Sequence, residues 1–123
     1  WVPSEWIEEI IKVCLENPIH NYMFLTKNPK RYTELGVPMG LENMWYGTTI
    51  TCDDDADRFN YLPAGCNVFV SVEPLMGDIV AKHNILFKQI DWIIIGAETG
   101  RNNDKVVPKV QWIKDIIMVC QFL

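Results

Sequence analysis

Seven residues in this chain combine a reactive side chain or a bare backbone with a position where one could be used: Lys27, Ser71, Glu73, Gly96, Glu98, Thr99 and Arg101. Each lies at or just past the last apolar position of a short β-rich run. The groupings are Thr26-Lys27-Asn28, Thr49-Ile50-Thr51, Ser71-Val72-Glu73-Pro74 and Gly96-Ala97-Glu98-Thr99-Gly100-Arg101. A carboxylate at the end of an apolar strand is partly desolvated, which costs free energy unless it binds something or meets a cation such as Lys27 or Arg101. Lys27, Glu73 and Glu98 are therefore the candidate catalytic groups, with a salt-bridge network as the rival reading. Gly96, Glu98, Thr99 and Ser71 are candidates for holding a cofactor. Thr26, Asn28 and Ser71 have a plainer alternative, since short polar side chains readily cap helices and satisfy nearby backbone groups. The glycine-bounded loop at Gly96 lacks the spacing of a dinucleotide or P-loop motif.

No metal site is predicted. Cys14, Cys52, Cys66 and Cys120 stand no closer than 14 positions apart, so no CxxC-type cluster exists for zinc or iron and sulfur. Cys14 and Cys120 fall on apolar helix faces and read as buried free thiols. The run Asp53-Asp54-Asp55 lacks calcium-loop spacing and suits a helix N-terminus, where carboxylates meet orphan amides. His20 and His83 have no ligand-spaced partner and read as surface or satisfied histidines.

These groups need strands to position them. Asn21–Thr26, Met44–Ile50, Asn67–Val72 and Asp91–Gly96 are β-rich runs, the last two continuous enough to predict burial on both faces. Helices fall between them. Ser4 is the expected N-cap of a first helix whose apolar positions run from Trp6 to Leu15, and Asn17-Pro18 stops it. Asn28-Pro29 opens a second helix closed by Gly36, and residues 56–62 form a third. A connection from Gly77 to Gln89 has room for a short helix, and Pro108 opens a last amphipathic helix ending near Phe122. The order αβαβαβ(α)βα in 123 residues prescribes one α/β domain, 1–123, with a four-stranded parallel sheet, flanking helices and right-handed crossovers. Doubly wound and (β/α) barrel arrangements both satisfy it. In either, ligands bind at the carboxyl ends of the strands.

A net charge of −5 with scattered Lys and Arg does not signal nucleic acid, and no apolar run approaches a membrane span. A soluble, cytoplasmic protein is expected.

Leu25-Thr26-Lys27-Asn28-Pro29, Trp45-Tyr46-Gly47-Thr48-Thr49, Ser71-Val72-Glu73-Pro74-Leu75-Met76-Gly77 and Asp91-Trp92-Ile93-Ile94-Ile95-Gly96-Ala97-Glu98-Thr99-Gly100 occur in this order. Together they resemble a phage-type family of uncharacterised proteins, first grouped around mycobacteriophage sequences, that is similar to radical-SAM barrels. The resemblance runs from about Tyr22 to Trp112. Asn28, Ala97 and Thr99 depart from the usual Arg, Gly and Ser. It implies a partial (β/α) barrel of TIM or radical-SAM type, with this chain as a central to C-terminal fragment. It further implies S-adenosylmethionine and an iron–sulfur cluster for a full-length parent, the cluster ligands lying upstream and no cofactor in the fragment itself. The alternative is a non-catalytic nucleotide- or protein-binding module of phage origin. The strand-end pocket has room for a small-molecule ligand, and a half-barrel with open edges predicts self-association.

Overall fold

The fold is known from a computed structural model, which describes residues 2–100 and 104–121. Helix α1 spans Ser4–Glu16, β1 Tyr22–Thr26, α2 Lys30–Leu35, β2 Met44–Thr49, β3 Asn67–Val72, β4 Trp92–Ile95 and α3 Val110–Cys120. Two 3₁₀ helices, Asp53–Tyr61 and Asn84–Gln89, follow β2 and β3.

The four strands are all parallel and lie in the order β1-β2-β3-β4. Their register places Phe24 beside Tyr46, Tyr46 beside Val68, and Val70 beside Ile93. Because side chains alternate along a strand, these residues share one face. That face carries the core. Ile50, Phe59, Val70, Val72, Leu75, Phe87 and Ile116 form one cluster, and Cys14, Tyr32, Val37, Met44 and Tyr46 form another around β2. Phe24 and Tyr46 stack at 5.5 Å, and the Tyr32 hydroxyl lies within donating distance of the Phe24 and Gly47 carbonyls, tying α2 across two strands. Burial raises the pKa of the Tyr46 phenol to about 12, with the Cys66 and Cys14 thiols adding to the effect.

The opposite face has a different character. Trp45 and Trp92 meet edge-on at 5.9 Å, and Phe69 lies beneath Trp92 at 6.3 Å. Gly47 is required there, since a Cβ at that position would come within 2.5 Å of the Phe69 ring. Met23, Leu25 and Trp92 remain 46%, 52% and 46% exposed, and neither core cluster includes them.

Several expectations need correcting. β3 is buried on both faces, but β4 is an edge strand and only partly covered. Ser4 is the first helical residue rather than the cap; Pro3 takes the cap position and the Ser4 hydroxyl accepts a hydrogen bond from Arg31. Helix α2 likewise begins after Pro29 with no side-chain cap. Cys14 is buried as expected, whereas Cys120 is exposed, because the last turn of α3 runs past its buried contact at Ile116. Trp6 and Ile10 on α1 stay outside the core, at 65% and 53% exposure. The expected end of α3 near Phe122 lies outside the described residues. No helix among the described residues is long and apolar enough to cross a membrane.

Candidate functional site

The polar groups predicted at the strand ends are brought to one end of the sheet by its all-parallel order. Ser71 and Thr49 are paired in register and both buried, and they belong to the face opposite the core. Glu73 continues that face one alternation beyond Ser71. Its carboxylate accepts a hydrogen bond from the Ser71 hydroxyl at 3.1 Å. It also lies over the neighbouring strand end, where a Cβ on Gly96 would fall 2.5 Å from Glu73 Oε1. The strand end is itself fixed by the backbone: Gly96 N–H donates to Val72 O at 3.1 Å, and Leu75 N–H donates to Gly96 O at 2.8 Å.

Glu98 is held differently. Its Oε2 accepts a hydrogen bond from Val106 N–H at 3.0 Å, which closes the loop between β4 and α3. Lys105 donates to Gly100 O in the same loop at 2.6 Å. Thr99 is exposed beside it. Neither Glu73 nor Glu98 forms an ion pair with Lys27 among the described residues; Arg101, the other expected partner, lies outside them. Thr26 makes the local bond its plainer reading foresaw, accepting from Asn28 N–H at 3.0 Å.

Sequence reasoning missed two residues at this end. Asp55 turns back from the 3₁₀ helix onto β2, where its Oδ2 accepts from the Thr51 amide at 2.9 Å and the Thr51 hydroxyl at 2.7 Å. Its other oxygen pairs with Arg58 at 2.8 Å, and Arg58 in turn donates to Thr49 O at 2.6 Å. Burial works against the Asp55 carboxylate, but the Thr51 bonds and the charges of Arg58 and Lys27 outweigh it and lower its pKa. Lys27 is thus one of the charges acting on Asp55. Asp53 reaches in another direction, pairing with Lys82 and with His83 at 2.6 Å, and these bonds lower its pKa as well. His83 is thus a satisfied histidine. The run of three aspartates carried the signal only as a helix start, because the partners of Asp53 are distant in sequence.

A cavity of about 320 Å³ lies between α1, α2 and the free edge of β1, with apolar walls from Ile7, Ile10, Ile11, Leu25 and Leu35. It contains none of the predicted acids.

Among the described residues no group of three or more His, Cys, Asp or Glu side chains is arranged to hold a metal ion. Cys14 and Cys66 belong to the core side of the sheet. These residues do not fit an iron–sulfur cluster, and no chemical step through one is assigned to them.

No curated protein and no solved structure matches the chain significantly. One family model does, over residues 1–122, and on that match the chain belongs to the family described as Protein of unknown function (DUF5131).

Proposed function

We propose that this chain is the barrel-forming segment of a phage-type protein that binds a small molecule at its strand ends, in the manner of a radical-SAM (β/α) barrel. The observation that carries the reading is the strand order. A doubly wound sheet reverses its order at a switch point and places helices on both faces, whereas here the order runs 1-2-3-4 and both core clusters lie on one face. The other face corresponds to a barrel interior, with an aromatic layer of Trp45, Phe69 and Trp92 below and polar groups at the carboxyl ends above. In this reading Lys27, Glu73 and Glu98 line the pocket, with Ser71, Gly96 and Thr99 along the cofactor's edge.

S-adenosylmethionine is the ligand to test. Calorimetric titration of the purified chain should give saturable binding, weakened about tenfold by Glu73→Gln, which corresponds to ~1.4 kcal/mol. Absence of saturable binding, or binding indifferent to Glu73, would overturn the reading.

The exposed Met23, Leu25 and Trp92 favour a second reading of the same face, as a surface that takes a protein partner in a non-catalytic module. We take that partner to be a second copy of the chain. β1 and β4 are both open edges, and unpaired strand edges template pairing. Light scattering at high micromolar concentration should report a dimer or larger species, and replacing Leu25 and Trp92 by Lys should return it to monomer. A monodisperse wild-type monomer would contradict self-association.

A further inference from the structure

The two strand-end glutamates are not equivalent. Glu98 uses Oε2 to close the β4–α3 loop onto Val106 N–H. Glu73 makes no such backbone closure and no ion pair among the described residues; its hydrogen-bond partner is the Ser71 hydroxyl at 3.1 Å. Its direction is set from two sides. Ser71, 4% exposed, holds Oε2, and the bare backbone of Gly96 leaves room for Oε1, Cγ and Cδ, which a Cβ there would approach to 2.5, 2.9 and 3.1 Å. An exposed carboxylate held this way is preorganised: part of the rotamer entropy that would oppose pairing with a cation is already lost.

We propose that Glu73 is the carboxylate that receives a cationic nitrogen of the ligand, an ammonium or amidinium group, and that Ser71 and Gly96 are its positioning residues. Glu98 then belongs to the loop and not to the cation subsite. The inference rests on the strand-end site proposed above and narrows its ligand to one bearing a positive charge. Among the described residues no cation pairs with this carboxylate, and Arg58 is committed to Asp55 and Thr49 O. A ligand ammonium would form a charge-assisted hydrogen bond to a carboxylate that is already oriented.

The positioning claim is testable without any ligand. Gly96→Ala in the otherwise wild-type chain should lower the thermal midpoint by on the order of 5 °C, because the new Cβ displaces the Glu73 side chain. In a Glu73→Ala background, which lacks the atoms it would strike, the same substitution should cost less than about 2 °C. An equal loss in both backgrounds would overturn the positioning role. Should Gly96→Ala not fold, Gly96→Ala with Glu73→Ala still must, and its failure would count equally against the claim.

The ligand class is read by amide NMR with n-butylammonium chloride as the probe, against sodium butyrate at matched ionic strength. The Ser71 and Gly96 resonances should shift with the cation and not with the anion. Glu73→Gln should abolish the shift, and Glu98→Gln should leave it. A shift that survives Glu73→Gln, or that depends on Glu98, would overturn the assignment. Failure to bind S-adenosylmethionine would instead count against the cofactor of the radical-SAM reading and leaves these outcomes unchanged.

Discussion

Replacing Phe87 by Ala should destabilise the protein by about 3–5 kcal/mol, the range for truncating a fully buried aromatic. Phe87 has no exposed surface and packs on Phe59 at 5.3 Å, inside the cluster formed by Val70, Val72, Leu75 and Ile79. With the partly buried Leu86 it anchors the 3₁₀ helix Asn84–Gln89 to this cluster. A domain of this size holds only about 5–15 kcal/mol of net stability, and the variant should therefore lose a large part of it. Urea denaturation is the appropriate measurement: the midpoint should fall while the slope with denaturant stays unchanged, since the surface exposed on unfolding is nearly the same. A loss under about 1 kcal/mol would mean that this connection is not packed as described.

The second large effect is expected at Asp55. Asp55→Ala removes the partner of the Thr51 amide and hydroxyl and leaves Arg58 without its carboxylate, at 17% and 26% side-chain exposure for the pair. Hydrogen bonds to a charged group contribute about 1.5–3 kcal/mol, and about 2 kcal/mol is expected for the whole substitution because solvent screens part of it. The effect should depend on pH in one direction. The folded-state pKa of Asp55 is lowered, so its contribution is fully present above the unfolded value of about 3.9 and is lost as the pH falls through the folded value. The stability gap between wild type and variant should be constant from pH 6 to 8 and narrow below pH 4. A gap that widens in acid would show that Asp55 is not stabilised as a carboxylate.

Much of this arrangement was legible in the sequence. The run Asn67–Val72 is a strand with the expected bounds, and Met44–Thr49 falls one residue short of expectation at Ile50. These strands were readable because β-branched and aromatic residues were bounded by turn chemistry, a local signal. The helix starts were less so. Ser4 and Asn28 have the right side chains for caps, yet Pro3 and Pro29 occupy the cap positions, and Ser4 turns to Arg31 instead. Tertiary partners decided those details.

The site divides along the same line. Alternation and strand ends located Ser71, Glu73, Gly96 and Glu98 at one end of the sheet, because parallel order guarantees it. What they touch was not legible. The pairing of Glu73 with Ser71 depends on a two-residue alternation that can be foreseen, but the approach to Gly96 depends on the register of β3 and β4. Asp55 and Arg58 gave no sign beyond helix-start composition. Their role arises only once the 3₁₀ helix folds back over the end of β2.

Residue-resolved NMR during titration with S-adenosylmethionine shows whether the carboxyl ends of these four strands form the ligand site. Saturating shifts should concentrate at Lys27, Thr49, Ser71, Glu73, Gly96 and Glu98, with Cys14, Tyr32 and Ile116 on the core side unmoved. Shifts confined to Ile7, Ile11 and Leu35 beside the free edge of β1, or no saturating shifts at all, would contradict it.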